Sequence, residues 1–277
     1  MAVSGWYKSG NELIGELMHT KVPGDMAALW YLGQAGIIIK AGGKLVAVDP
    51  YLGVPHPDTR RFAPPFSATC VNFLDVVLCT HNHSDHLDPD TLRGIAIASP
   101  KTKFIVPRPW ISVAESCGIK PENIIGAAAG EKISVAGAAI YPVPAAHEEL
   151  TRDANGDYEN LGYVMKFAAA TIYHSGDTVE WESMTKDLRP YGIDIACLPI
   201  NGSDWKRKRA NIIGNLNARE AADVAEEIGA DLLIPLHYDL FAHNGENPGH
   251  LADYMFQYHF GHKYHFMAPG ERFFYCR

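Results

Sequence analysis

The chain has 277 residues, 47% hydrophobic and 20% charged, a balance that supports a sizeable core and excludes disordered and collagen-like classes. Lys and Arg number 24 against 32 Asp and Glu, for a formal net charge of −8. General affinity for nucleic acid or an anionic membrane is therefore disfavoured, and any anion site must be local.

No repeat, low-complexity segment or linker divides the sequence, so one domain over residues 1–277 is expected. Short apolar runs at 28–31, 36–40 and 45–49 predict strands, with Ala41-Gly42-Gly43 turning between the last two. A buried-type strand at 74–80, a helix at 89–96, a strand at 104–106 and a helix at 109–117 ended by Gly118 follow. The second half predicts strands at 132–135, 138–143, 162–167 and 171–174, a helix near 179–188 and a strand at 193–199. The clearest helix is 218–228, where Asn217 and Glu220 form a capping-box pair and Ala221, Val224, Ala225 and Ile228 recur at i, i+3, i+4 and i+7. It leads into a strand at 232–236 that ends at His237. Two strand-rich halves with interspersed helices predict two sheets packed face to face with helices outside.

No apolar run approaches the roughly 20 residues of a membrane span. Residues 1–16 alternate polar and apolar side chains and lack the pattern of a secretory signal. The five cysteines are odd in number and without C-x-x-C spacing, which suits reduced thiols. A cytoplasmic location is the expectation.

The chemistry concentrates in His81-Asn82-His83-Ser84-Asp85-His86, four ligand-type side chains within six residues after a strand. Residues two apart on a helix face nearly opposite sides, so His81 and His83 converge on one ion only from an extended or turning backbone, leaving Asp85 and His86 for a neighbouring ion. A tightly held ion takes three or more protein ligands, and His147, Asp177 and His237 each close a predicted strand. Five imidazoles and two carboxylates can hold two divalent cations with one carboxylate shared, and without thiolate the set suits Zn, Mn, Fe or Ni. Two such cations outweigh Asp85, Asp177 and a hydroxide, leaving positive charge that favours an anionic transition state, as in hydrolysis of an ester-like or phosphoryl bond.

Two further stretches are candidates for substrate contact. Asn201 leaves a strand end where it can hydrogen-bond a hydroxyl or carbonyl, and Lys206 and Arg207 begin the basic run 206–209, which suits a phosphate. His243, His250, His259, His262 and His265 are too loosely spaced for ligands and are expected at the surface or an interface. The aromatic-rich end (Tyr254, Phe256, Tyr258, Phe260, Phe273, Phe274, Tyr275) suits an interface or the core.

The H-x-H-x-D-H signature after an apolar strand, with downstream His, Asp and His, resembles the metallo-β-lactamase superfamily. Within it, the segments 30–36 (WYLGQAG), Asp49-Pro50, 173–177 (YHSGD) and 234–239 (IPLHYD) resemble the L-ascorbate-6-phosphate lactonase family. The likeness covers about residues 24–254. It implies an α/β (α+β) fold of the αββα four-layer sandwich type. It also implies that His81, His83 and His147 hold one cation, that Asp85, His86 and His237 hold the other, and that Asp177 bridges them. Asp49 and His174 would orient metal-bound histidines, and the two cations would be Mn2+ or Zn2+. Shorter segments between Asp49 and His81 and around residues 148–158 set this chain apart from the lactonase. The implied reaction is opening of a sugar-acid lactone, such as L-ascorbate 6-phosphate, by a hydroxide held between the cations, with Asp85 orienting it and Asp177 completing the catalytic pair of carboxylates. A small-molecule substrate and a homo-oligomer are expected, with neither nucleic acid nor membrane as partner. The rival on the same cations is a phosphodiesterase, and the rival from another class is a non-catalytic nucleic-acid or partner-binding module using the basic run.

Overall fold

A computed structural model describes residues 5–54 and 60–277. The first residues of the N-terminal segment, and part of the segment between Asp49 and His81, lie outside the described residues. The first half runs α1 (Gly10–His19), β1 (Met26–Gly33), β2 (Gly36–Ala41), β3 (Lys44–Val48), β4 (Val76–Leu78), α2 (Pro89–Ala98), β5 (Lys103–Pro107), α3 (Ile111–Ser116) and β6 (Ile124–Ala127). The second runs β7 (Ile133–Val135), β8 (Ala138–Pro144), β9 (Leu161–Lys166), β10 (Thr171–His174), α4 (Met184–Leu188), β11 (Ile195–Pro199), α5 (Trp205–Arg209), α6 (Ala218–Glu227), β12 (Leu232–Leu236), α7 (Pro248–Tyr258), β13 (Lys263–Tyr264) and β14 (Arg272–Cys276).

Two seven-stranded sheets result, ordered β14-β1-β2-β3-β4-β5-β6 and β13-β12-β11-β10-β9-β8-β7. Each is mixed: β3 to β6 run parallel in the first, and β10 to β13 run parallel in the second. Alternation along β1 shows how the layers are made. Leu29 and Tyr31 point into the core between the sheets, where they join Ile140, Tyr163, Ile172 and Ile234 of the second sheet. Ala28, Trp30 and Leu32 point to the opposite face and pack with Leu13 and Leu17 of α1 and Leu92 and Ile95 of α2. On the far side, Ala221, Val224 and Ala225 of α6 and Leu251 and Met255 of α7 cover Leu198 and Leu233. Helix, sheet, sheet and helix layers therefore form the expected αββα sandwich. Strands covered on both faces must be apolar throughout, which is why they read as unbroken runs in the sequence.

Several expected elements differ in extent. The strand at 74–80 is ordered only over β4, because the chain turns away after Leu78 to deliver His81. The helix at 109–117 divides into a 3-10 turn (Arg108–Trp110) and α3. The helix near 179–188 shrinks to α4, since Val179 instead bridges Ala146 in a β-pairing. The capping box of α6 forms as read: Asn217 Oδ1 accepts from Arg219 N and Glu220 N, while Glu220 Oε2 accepts from Asn217 N. The helix α1 is amphipathic, with only Leu13 and Leu17 buried. Its C-terminal carbonyls, Leu17 O and Met18 O, accept from the buried Lys40 Nζ at 2.8 and 2.9 Å, a cationic cap for the negative end of the helix. Among the described residues no helix is long and apolar enough to cross a membrane, and all five cysteines are free.

Candidate metal centre

Each ligand-type residue leaves the C-terminal end of a strand. Asp49 follows β3, the loop carrying His81 to His86 follows β4, His147 follows β8, Asp177 follows β10 and His237 follows β12. The loop after β4 is neither helix nor strand. His86 N and Leu87 N both donate to His83 O, closing a turn that lets His81 and His83 face one point. Asp88 then caps α2, accepting from Thr91 N at 3.1 Å, and also accepts from Gly53 N at 2.8 Å, which ties the loop to the segment after β3. Gly176 has φ +62, and a Cβ there would lie 2.7 Å from Thr80 Cβ, so only glycine brings the Asp177 loop this close.

The seven ligand-type residues fall into two groups, His81, His83, His147 and Asp177 in one, Asp85, His86 and His237 in the other. In the first, His83 Nδ1 lies 3.0 Å from His81 Nε2 and 3.1 Å from His147 Nε2. In the second, Asp85 Oδ2 lies 3.6 Å from His86 Nε2 and 3.5 Å from His237 Nε2. Asp177 stands between them: Oδ2 is 3.8 Å from His147 Nε2 and 3.2 Å from His237 Nε2, and Oδ1 is 3.2 Å from His86 Nε2. His86 Nε2 and Asp177 Oδ1 are both buried and have no hydrogen-bond partner among the described residues. Buried polar atoms left unpaired are costly. Two such atoms facing each other amid converging imidazoles are the donor set that a pair of divalent cations satisfies, so the residues fit the metal reading.

Asp49 is fully buried beneath this cluster. It accepts from Thr80 N at 2.8 Å and Thr80 Oγ1 at 2.7 Å, and its Oδ2 lies 2.7 Å from His86 Nδ1. With the His86 proton on Nδ1, the Nε2 lone pair is directed at the centre. His174 has a different setting. Its Nε2 donates to Ala35 O at 2.8 Å and its Nδ1 accepts from Gly176 N at 3.1 Å, so its ring positions the loop that carries Asp177.

Charge follows from burial and proximity. Burial pushes His81 well below an ordinary imidazole and, with its own lesser strength, lowers His83; it brings His147 down to about 4 against the pull of Asp177. These three rings are neutral, the form in which an imidazole can ligate a metal. Burial also opposes the charged form of His86, but Asp177, Asp85 and Asp49 outweigh it and hold that ring well above its usual range. Burial is likewise outweighed at His237, which Asp177 and Asp85 raise to about 9. Asp85 and Asp177 are held low by His86 and His237 despite burial. The two carboxylates beside His86 and His237 would draw a cation to the second group, where it would replace a proton on each ring.

A cavity of about 360 Å³ opens over the cluster, with Tyr51, Ile212, Ile213, Phe241, His243 and Asn244 in its wall. His243 is thus exposed and faces the cavity, whereas His250 pairs with Glu246, His259 with Asp223 and Glu226, and His265 with Glu271. Asn201 is fully buried and does not line the cavity. Its Nδ2 donates to Asn244 Oδ1 at 3.0 Å and its Oδ1 accepts from Asn215 Nδ2 at 3.1 Å, so it braces the wall from behind. Lys206 and Arg207 line an adjoining cavity of about 580 Å³ that shares Ile212 and His243 with the first. The Arg207 guanidinium is engaged by Asp204, Asn244 Oδ1 and Gly245 O.

Sequence reasoning assigned no role to Gln34, Thr80 or Asp239. Gln34 Nε2 lies 2.8 Å from Asp85 Oδ2 and 2.7 Å from His237 Nε2, and Asp239 Oδ1 accepts from Gln34 N and Tyr31 OH at 3.0 Å each. The one available signal was a polar residue within the turn Gly33-Gln34-Ala35-Gly36 between two apolar strands. Gln34, Asp49 and His237 all have φ between +45 and +61, backbone strain of the kind that gathers at functional sites.

A metal-dependent hydrolase of Caldivirga maquilingensis is 29% identical over 80% of this chain and 87% of its own length. An Escherichia coli protein described as "Probable L-ascorbate-6-phosphate lactonase" is 24% identical over 86% of this chain and 77% of its own. The solved structure of a metallo hydrolase from the archaeon Ignicoccus hospitalis, 21% identical, superimposes with a TM-score of 0.69 over 90% of this chain and 98% of that one, a likeness of fold. Residues 45–238 match the model of the beta-lactamase superfamily domain, and with the two sheets and the ligand cluster already in place, the chain belongs to the metallo-β-lactamase superfamily.

Proposed function

We propose that the protein is a metal-dependent hydrolase that opens the lactone ring of a sugar acid, phosphorylated in its preferred substrate. The observation that carries this reading is the meeting of two ligand groups across Asp177 on the floor of one small cavity. His81, His83 and His147 would hold one divalent cation, Mn2+ or Zn2+, and Asp85, His86 and His237 the other, with Asp177 between. When bound, such a pair acidifies a water and polarises a carbonyl. The chain does the rest. Asp49 and Thr80 fix the His86 ring so that Nε2 faces the centre. Asp85 lines the cavity and accepts a hydrogen bond from the attacking water, which fixes its direction of approach. Tyr51, held under the Arg60 guanidinium at 4.3 Å, and Phe241 and Ile212 supply the apolar wall that limits bulk water. The relative described as a lactonase supports the lactone class.

In the adjoining cavity Lys206 is the cation placed for the substrate's phosphate, since Arg207 is already engaged. A charge-assisted contact of this kind is worth about 1.5–3 kcal/mol. Lys206→Ala is therefore expected to raise KM for a phosphorylated sugar lactone by about tenfold or more, with kcat and turnover of the unphosphorylated lactone unchanged. Steady-state kinetics on a lactone panel beside bis-p-nitrophenyl phosphate tests both points. An unaltered KM removes the role of Lys206, and turnover of the diester alone overturns the lactone reading in favour of a phosphodiesterase.

A further inference from the structure

We infer that the Gln34 carboxamide sets the order in which the two cation sites fill, keeping the site of Asp85, His86 and His237 weaker than the site of His81, His83, His147 and Asp177. This rests on the two-cation reading above and adds to it a residue with no place in that ligand set.

Gln34 is 1% exposed and sits in the turn between β1 and β2 with φ +58. Its backbone is pinned on both sides. The N–H donates to Asp239 Oδ1 at 3.0 Å, and the carbonyl accepts from His237 N at 2.6 Å and Tyr31 OH at 3.1 Å. The side chain therefore starts from a fixed point beside His237, and its amide nitrogen reaches Asp85 Oδ2 at 2.8 Å and His237 Nε2 at 2.7 Å. A carboxylate only accepts, so the nitrogen and not the oxygen of the amide must face Asp85. The amide nitrogen can only donate, so where His237 Nε2 is unprotonated its lone pair, the one a cation needs, accepts from Gln34. Two of the three ligand atoms of this site are thus satisfied by protein before any cation arrives.

The other site is built differently. Its three imidazole nitrogens face one another at 3.0 and 3.1 Å with no carboxamide among them, and Asp177 Oδ2 lies 3.8 Å from His147 Nε2, so a cation entering there breaks no amide hydrogen bond. Entry at the second site must break the hydrogen bonds of Gln34 and turn or withdraw the amide.

The test is calorimetric titration of metal-free protein with Mn2+, with metal content measured after dialysis. Wild type is expected to show two sites differing by about tenfold or more, the scale of a hydrogen bond to a charged group. Gln34→Gly suits the positive φ, keeps the backbone contacts and deletes the amide; Gln34→Met keeps the length and removes the donors without adding a charge. Both are expected to tighten the weaker site by about tenfold and leave the tighter one unchanged. If Gln34→Gly does not fold, as judged by circular dichroism, Gln34→Met decides. Equal sites in wild type, or a weaker site that is unchanged or loosened in a folded variant, overturn the inference and leave the metal centre standing. Binding of no cation overturns both.

Discussion

Asp177→Ala is expected to abolish hydrolysis and to empty the centre of metal. Asp177 is the group that reaches both clusters, with Oδ2 3.8 Å from His147 Nε2 in one and 3.2 Å from His237 Nε2 in the other, and Oδ1 3.2 Å from His86 Nε2. Its removal leaves the first cluster with three imidazoles and no anion, and the second with one carboxylate. Losing transition-state stabilisation of several kcal/mol corresponds to a fall of about a thousandfold or more in kcat/KM. Asp177→Asn, which keeps the size and loses the charge, should fall nearly as far, whereas a purely structural Asp177 would be largely rescued by it. Elemental analysis alongside kinetics checks this. Full metal content and turnover in either variant contradict the bridging role.

Asp49→Ala is expected to act one step removed, weakening cation binding by about 10–100-fold, as loss of a group that orients a ligand histidine does. The carboxylate accepts from Thr80 N and Oγ1 and fixes His86 Nδ1, and all three residues are buried. Without it the Thr80 N–H and the His86 Nδ1–H lose their acceptor, at about 1–3 kcal/mol for each buried group left unpaired. Metal affinity and the urea midpoint should therefore fall together. Because the effect passes through His86, saturating Mn2+ should restore much of kcat in Asp49→Ala and none of it in Asp177→Ala. A loss of stability with unaltered metal affinity contradicts the orienting role.

What could be read from the residues was what lies close in sequence or repeats with a period. Residues 81–86 carry four ligand-type side chains within one turn, and double-sided burial makes β1 to β3 and β10 to β12 continuous apolar runs. The capping box at Asn217 and Glu220 is local and forms as read. The helix α1 escaped because only Leu13 and Leu17 face the core, and β14 because its partner β1 lies at the other end of the chain. Gln34 escaped for the same reason on a finer scale. Its role depends on the turn after β1 meeting His237, 203 residues away, and no local pattern encodes that meeting. Asn201 shows the opposite case: a polar residue at a strand end suggested substrate contact, while its amide is consumed by Asn244 and Asn215 behind the cavity wall.

The most direct measurement is anomalous diffraction at the manganese edge from crystals grown at saturating Mn2+. The account predicts two peaks, one among His81, His83 and His147 and one among Asp85, His86 and His237, each within coordination distance of Asp177. Peaks elsewhere, or none in this cavity, would contradict it.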